Sequence, residues 1–248
     1  MTVFTYNADA RILAAKAALD AQGAETARIH LLPIPTAALA SDENARKDFF
    51  ASLQPGDLVF GYALPLPLRK EIEKRGAHAF DTEADATFIE ENALLTAEAT
   101  MGYVLAAPST PRDLTVGIIG YGRIGHALCR MLLFFGTRVR IFTERDSIRT
   151  ALGAAGVESR PIRYEAGAKP DLSGLDLLIQ TAPAKIFTKE NAPSCPLWNL
   201  AAASFVGEGV AVRQLSALPA KVCYESGGRA LARAVLRVTD TQKQKTKG

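Results

Sequence analysis

Gly120-Tyr121-Gly122-Arg123-Ile124-Gly125 constrains this chain more than any other stretch of it. A G-x-G-x-x-G triplet alone says little, because glycines fall into that spacing by chance. Its flanks change that. Leu114-Thr115-Val116-Gly117-Ile118-Ile119 reads as a buried strand running straight into it, and Ile124 to Phe135 as a helix running straight out. In that context each glycine has its own task. Gly120 permits the tight turn, Gly122 lets a pyrophosphate approach the backbone, and Gly125 lets helix and strand pack closely. The positive end of the helix then faces the phosphates, and Arg123 can add a charge. The six residues are therefore expected to hold the pyrophosphate of a dinucleotide. The bland alternative is a tight turn in a fold that holds no nucleotide.

Before the glycine turn, strand and helix signals alternate. Val3 to Tyr6 reads as a strand, and Ala10 to Gln22 as a helix with Ile12, Ala15 and Leu19 on one face and Gly23 as its stop. Thr26 to Leu32, Asp57 to Ala63 and Ala77 to Phe80 read as further strands, separated by helices over Ala45 to Leu53 and Arg69 to Arg75. Strands alternating with helices imply a parallel sheet, so residues 1–85 are expected to form a small flavodoxin-like α/β domain. Glu90 to Ala107 is a long apolar helical stretch closed by Pro108-Ser109-Thr110-Pro111, which makes residues 86–110 the connecting helix and linker.

After the glycine turn the alternation resumes. Gly136 stops the helix, Arg138 to Thr143 is a strand, Ser147 to Ala155 a helix, and Val157 to Arg163 a poorly patterned strand. Leu175 to Gln180, Leu197 to Leu200 and Val222 to Tyr224 supply further strands, and Arg229 to Val238 a final amphipathic helix. Residues 111–240 are thus expected to be a Rossmann-type, doubly wound parallel sheet. Residues 241–248, with Lys243, Lys245 and Lys247, read as a frayed, solvated tail. Two such α/β domains normally take a ligand in the cleft between them, at the carboxyl ends of the strands.

The end of the strand after the glycine helix decides between NAD and NADP. An acidic residue there binds the ribose 2′-hydroxyl of NAD. Here the strand ends in Thr143-Glu144-Arg145. Glu144 could serve NAD, while Thr143 with Arg145 could cradle a 2′-phosphate, so both cofactors stay open. Thr181-Ala182-Pro183, after the strand Leu175 to Gln180, is expected to face the nicotinamide ribose.

Several classes are set aside. A net charge of +3 is too small to argue for nucleic acid. The three cysteines, Cys129, Cys195 and Cys223, form no CxxC pair and suit a reducing compartment, with Cys129 expected in a core. No basic segment followed by an apolar one opens the chain, and no window approaches ~18 uninterrupted apolar residues. A cytoplasmic protein without membrane contact is the expectation. A 2-hydroxyacid dehydrogenase would need an Arg after the strand matching Leu197 to Leu200 and a His nearer the C-terminus. The chain instead continues Ala201-Ala202-Ala203, and its three histidines, His30, His78 and His126, all precede residue 127.

Candidate substrate residues remain. Arg11 follows the first strand and could hold a carboxylate in a bidentate fork; the plainer reading puts it on a helix surface beside Asp9, a helix cap. Thr96 and Glu98 interrupt an apolar helical stretch. Thr96 could cap a restarting helix, and a carboxylate among Ala97, Ala99 and Met101 suggests a cleft more than a core.

Taken together, these pieces resemble the A subunit of dipicolinate synthase, the pyridine-dicarboxylate enzyme of spore-forming bacteria. Asn7-Ala8-Asp9-Ala10-Arg11 is similar to that family's Gly-Asp-Ala-Arg turn, and Leu64-Pro65-Leu66-Pro67 to its Leu-Pro-Leu-Pro segment. Leu95-Thr96-Ala97-Glu98-Ala99 resembles its Pro-Thr-Ala-Glu-Gly, Gly120 to Gly125 its Gly-x-Gly-Arg-x-Gly, Thr181-Ala182-Pro183 its Thr-Ile-Pro, and Leu200-Ala201 its Leu-Ala-Ser. The chain is shorter than the family, chiefly in the first domain. The family's Arg-Pro-Gly-Gly, Gly-Leu-Pro-Gly and Pro-Lys-Thr-Ala-Gly segments are replaced by Ala203-Ser204-Phe205-Val206-Gly207, Ala217-Leu218-Pro219-Ala220 and Tyr224-Glu225-Ser226-Gly227-Gly228.

The resemblance implies an NAD(P)-dependent oxidoreductase that passes hydride to or from a small carboxylate, with a partner subunit or a homodimer compatible with it. A non-catalytic nucleotide-binding sensor or partner subunit is the reading from a different class, because no proton-transfer residue stands out. No metal site is expected.

Overall fold

The computed structural model describes residues 1–22 and 27–246. Gly23, the start of the second strand at Thr26, and Lys247 lie outside the described residues, as do the side chains of Lys243 and Lys245. The chain forms two compact units. Unit one is Met1–Leu95 together with the chain from Pro219 onward, and unit two is Thr96–Leu218.

Unit one holds four parallel strands, β1 (Thr2–Thr5), β2 (Arg28–Leu31), β3 (Leu58–Gly61) and β4 (His78–Asp81), in the order β1-β2-β3-β4. The expected α/β class holds, and the sequential order refines it, since a flavodoxin sheet runs 2-1-3-4-5. Helices α1 (Ala10–Asp20), α2 (Ala38–Ser41), α3 (Glu43–Ser52) and α4 (Leu66–Lys74) lie between the strands. Successive strand residues point to opposite faces. Val3, Ile29 and Leu58 are in register and share one core with Ile12, Ala15 and Leu19 of α1. Tyr6, Leu32 and Val59 form a second core with Phe49 of α3 and Ile72 of α4, both wholly buried. Each such side chain contributes about 1.5–3 kcal/mol on burial.

The long helix α5 (Ala86–Leu105) is shared, because the division between the units falls inside it, between Leu95 and Thr96. The stretch expected as a linker over 86–110 is therefore divided between the units, and Phe88 at its start is buried in the first core of unit one.

Unit two is a six-stranded parallel sheet of β5 (Thr115–Ile119), β6 (Arg138–Thr143), β7 (Glu158–Pro161), β8 (Leu177–Gln180), β9 (Leu197–Asn199) and β10 (Arg213–Gln214). The order β10-β9-β8-β5-β6-β7 is the doubly wound Rossmann order, with its reversal between β5 and β8. Helix α6 (Arg123–Phe134) packs on β5 and β6, and α7 (Asp146–Ala154) leads to β7. The later crossovers are loops. Their apolar side chains Ile162, Leu175, Ile186, Phe187 and Val210 cover the face that carries Ile119, Phe142, Leu178 and Leu197.

Three expectations are corrected toward the C-terminus. Val222 to Tyr224 is not a strand but the approach to α9 (Tyr224–Thr246), which follows the short α8 (Leu218–Lys221). The sixth strand is the polar pair Arg213–Gln214, too short to show periodicity. The final helix is much longer than Arg229 to Val238 and includes the tail as far as Thr246, where Lys and Gln are good helix formers. It groups with unit one rather than with the expected 111–240 domain, because it lies along α1. At Gly228 an added Cβ would come within 2.5 Å of Ala14 Cβ.

Candidate functional site

The glycine turn occupies the reversal between β5 and β8. Gly120 has φ +97°, a left-handed conformation that a side chain would strain, and its N–H donates to Phe142 O at 2.9 Å. A Cβ on Gly125 would overlap the Gly120 carbonyl oxygen, so α6 can approach the turn this closely only with glycine there. Gly122 differs from both. It has an ordinary φ of −83° as the N-cap of α6, and a Cβ on it would meet nothing within 4 Å. The empty side of Gly122 is where a ligand's phosphates can come close to backbone. Gly122 offers no side chain to cap the helix, and the first bond at this end of α6 is His126 N–H to Gly122 O at 2.8 Å. Arg123 is exposed, Ile124 half-buried, and Tyr121 half-buried with its ring edge-on to His126 at 5.4 Å. Burial pushes the Tyr121 hydroxyl pKa up.

The end of β8 is tied to this turn. Thr181 N–H and Ala182 N–H both donate to Ile119 O, at 2.9 and 3.2 Å, and the Thr181 hydroxyl donates to Ile119 O at 3.0 Å. The same hydroxyl stands 3.3 Å from Gly120 O. Thr181, Ala182 and the exposed Pro183 therefore sit beside the glycine loop.

At the end of β6, Thr143 is buried and its hydroxyl accepts the Arg145 N–H at 3.3 Å. The Arg145 guanidinium reaches back to Tyr121 O at 2.8 Å, which joins the strand end to the glycine turn. Glu144 is exposed, and one oxygen of its carboxylate accepts Tyr164 N–H at 2.6 Å. Tyr164 itself is buried enough to raise its hydroxyl pKa, against the Thr143 hydrogen bond and Arg145, which lower it. Beside these residues lies a cavity of about 570 Å³, walled by Pro161 and Ile162 and flanked by Glu144 and Glu165 as well as Arg149, Arg163 and Lys169.

An amide network at the ends of β8, β9 and β10 escaped the sequence reading. Gln180 Nε2 donates to Ala184 O at 2.8 Å, Asn199 Nδ2 to Gln214 Oε1 at 2.8 Å, and Gln214 Nε2 to Ala201 O at 2.7 Å. These side chains fold the Ala201-Ala202-Ala203 loop, where a hydroxyacid dehydrogenase would need its arginine. Bonds that span 13 and 15 residues between strand ends leave no periodic pattern. The one signal that could have found them is the Gln or Asn that closes each of the apolar runs of β8 and β9.

In unit one, Asp9 caps α1, accepting Ile12 N–H at 2.9 Å. Arg11 is not on the helix surface. Its side chain is only 4% exposed, its Nη2 lies 3.5 Å from Asp9 Oδ2, and its buried Nε has no hydrogen-bond partner. Burial lowers its pKa, but a guanidinium remains charged at any ordinary pH. Thr96 is buried inside the unbroken helix α5 and so is not a cap, because no turn interrupts the helix there. Glu98 is exposed, which removes the cost that made it look like a cleft residue. Arg11 belongs to unit one and Thr96 and Glu98 to unit two. Cys129 lies in a core, and burial pushes its thiol up to about 11. Among the described residues no three His, Cys, Asp or Glu side chains are placed to share a metal ion, and no helix is long and apolar enough to cross a membrane.

Solved structures share this fold. The A subunit of dipicolinate synthase from Bacillus halodurans matches with a TM-score of 0.75 at 19% identity, over 96% of this chain and 97% of that one. Its counterpart from Bacillus subtilis matches with 0.75 at 14% identity, over 99% and 97%. A transhydrogenase from Sinorhizobium meliloti matches with 0.61 at 12% identity, over 97% and 93%. No protein-family model matches the sequence, and no curated protein matches it. The likeness is one of fold, and it is to the family that the sequence motifs resemble.

Proposed function

We propose that the chain is a divergent relative of the dipicolinate synthase A subunit, an oxidoreductase that binds NADP and acts on a small carboxylate. The observation that carries this reading is the contrast among the three glycines. Gly120 and Gly125 have no room for a side chain, whereas Gly122 faces open space at the start of α6. A turn that only needed tight packing would have no reason for a glycine at 122, where both φ and space would accept a side chain.

In this reading the backbone from Gly120 to Gly125 and the N-terminal end of α6 hold the pyrophosphate. Thr181, Ala182 and Pro183 line the nicotinamide ribose. Thr143 and Arg145 take the 2′-phosphate, and the cavity beside Ile162 receives the adenosine end. Arg145 favours NADP over NAD because it brings a fixed positive charge to the strand end, while Glu144 is engaged by Tyr164 N–H. Bound cofactor would supply hydride transfer; the protein's part is to position it and the substrate. The names of the solved relatives, a synthase of dipicolinate and a transhydrogenase, support this class. Compatible partners are a different polypeptide or a second copy of the chain.

The test is a fluorescence titration of the purified chain with NADPH and NADH, followed by the change in nicotinamide absorbance with candidate dicarboxylates. Tight NADPH binding with turnover supports the proposal. Tight binding without turnover on any dicarboxylate makes the chain a non-catalytic nucleotide-binding protein, and no binding removes the reading.

A further inference from the structure

We propose that Arg11 and the first turn of α9 together bind one carboxylate group of a small ligand. The proposal lies wholly within unit one and supplies the substrate side of the function proposed above, on which its assignment to a substrate rests.

A buried guanidinium with an unsatisfied donor is costly, because the desolvation of that donor is not returned by a hydrogen bond. The Arg11 side chain is 4% exposed, and its Nε lacks a partner. Asp9 offsets the charge only in part, since its carboxylate is 3.5 Å away, a third exposed and already bonded to Ile12 N–H. What lies against Arg11 is the start of a 23-residue helix. A Cβ on Gly227 would stand 3.1 Å from Arg11 Cδ and 2.6 Å from Pro219 O, so glycine there lets the helix end come against the guanidinium stem. The first bond at this end of α9 is Gly227 N–H to Cys223 O at 2.9 Å. The N–H groups of Tyr224, Glu225 and Ser226 therefore precede the intrahelical ladder, at the positive end of the helix.

A planar guanidinium and backbone N–H groups are the donors that oxyanions take. The charge balance selects among oxyanions. Glu225 in the first turn is paired with Arg229 at 3.6 Å, so one guanidinium and one helix end opposed by Asp9 remain, which suit a singly charged carboxylate better than a phosphate dianion. Arg11 follows β1 by a few residues, so the site lies at the carboxyl end of that strand, where open α/β sheets bind ligands.

Calorimetry on the full chain tests this, with pyridine-2,6-dicarboxylate and succinate as probes and inorganic phosphate as the comparison. Wild type is expected to bind at least one dicarboxylate more tightly than phosphate. Arg11→Lys keeps the charge but loses the fork, and should weaken that binding roughly tenfold or more. Tyr224→Pro removes one N–H that no helix carbonyl uses, at the position where proline fits a helix start, and should weaken binding without unfolding the chain. It serves as the deciding variant if circular dichroism shows that Arg11→Lys does not fold. Absence of dicarboxylate binding in wild type, tighter phosphate binding, or wild-type affinity in the folded variants overturns the proposal. NADPH titrations of the same proteins separate the two claims. Absence of dicarboxylate binding in wild type with NADPH binding intact defeats this inference alone, and carboxylate binding without NADPH binding defeats the oxidoreductase reading alone.

Discussion

The Glu144 carboxylate accepts the backbone N–H of Tyr164 at 2.6 Å. The acidic residue that could have served NAD is thus tied to the loop after β7, while Arg145 next to it bonds Tyr121 O in the glycine turn. Arg145→Ala should weaken NADPH binding by roughly 1.5–3 kcal/mol, the range for a hydrogen bond to a charged group, and leave NADH near its wild-type affinity. Glu144→Ala should shift neither affinity by more than a small factor. Paired titrations check this, and equal losses for both cofactors in Arg145→Ala would take the guanidinium away from the 2′-phosphate.

The glycine loop predicts opposite failures at two neighbouring positions. Gly122→Val places its side chain where no protein atom lies within 4 Å and at an ordinary φ, so the thermal midpoint should hardly move while cofactor binding is lost. Gly125→Ala drives a methyl into the Gly120 carbonyl and should destabilise the fold by about 1–3 kcal/mol, typical of overpacking. Thermal melts and titrations on both variants decide it. A Gly122→Val chain that still binds NADPH normally would remove the loop from the site.

Elements with local signals were legible, and those held by distant partners were not. The strand running into Gly120 and the helix leaving it show in the sequence because apolar periodicity and glycine spacing lie within about 20 residues. Arg138 to Thr143 matches β6 residue for residue, its buried positions coming from Val139, Ile141, Phe142 and Thr143. The fate of Val222 to Tyr224 was hidden. Those residues look like a strand, and the following Gly227-Gly228 looks like a breaker. Both glycines are instead inside a helix, because Ala14, Ala15 and Arg11, more than 200 residues earlier, leave no space for anything larger. The burial of Arg11 was invisible for the same reason.

That packing gives its own prediction. Gly228→Ala would bring a Cβ within 2.5 Å of Ala14 Cβ and 2.7 Å of Ala15 N, and backbone cannot swing aside as a side chain can. In an exposed helix the change would stabilise by about 1 kcal/mol, from helix propensity alone. Here the expected sign is reversed, with a loss of about 1–3 kcal/mol. Urea unfolding measures it, and a stabilised variant would mean that α9 does not lie this close to α1.

Unit one also carries a buried polar chain whose pH behaviour can be worked out. Tyr6 Oη lies 2.7 Å from His30 Nδ1, and His30 Nε2 lies 2.7 Å from Asp57 Oδ2. Asp57 Oδ1 accepts Arg28 Nε at 2.9 Å. The His30 ring is fully buried, and this burial lowers its pKa from 6.5 despite Asp57, which acts to raise it. Below 6.5 the unfolded chain then binds a proton at His30 more readily than the folded one. The resulting contribution to stability is complete above 6.5 and is lost as pH falls from there through the folded value. Asp85 acts in a separate, more acidic window. Burial pushes its carboxyl up, but Phe88 N–H and Arg237 hold it below 3.8 overall. Thermal midpoints of wild type should therefore begin to fall as the pH drops past 6.5. In His30→Phe the midpoint should be lower at neutral pH, where Asp57 and Tyr6 lose a partner, and the decline just below 6.5 should flatten. A midpoint that rises between about pH 6.5 and pH 5 in wild type would show that the imidazolium is the favoured form in the fold, with the Asp57 bond outweighing burial.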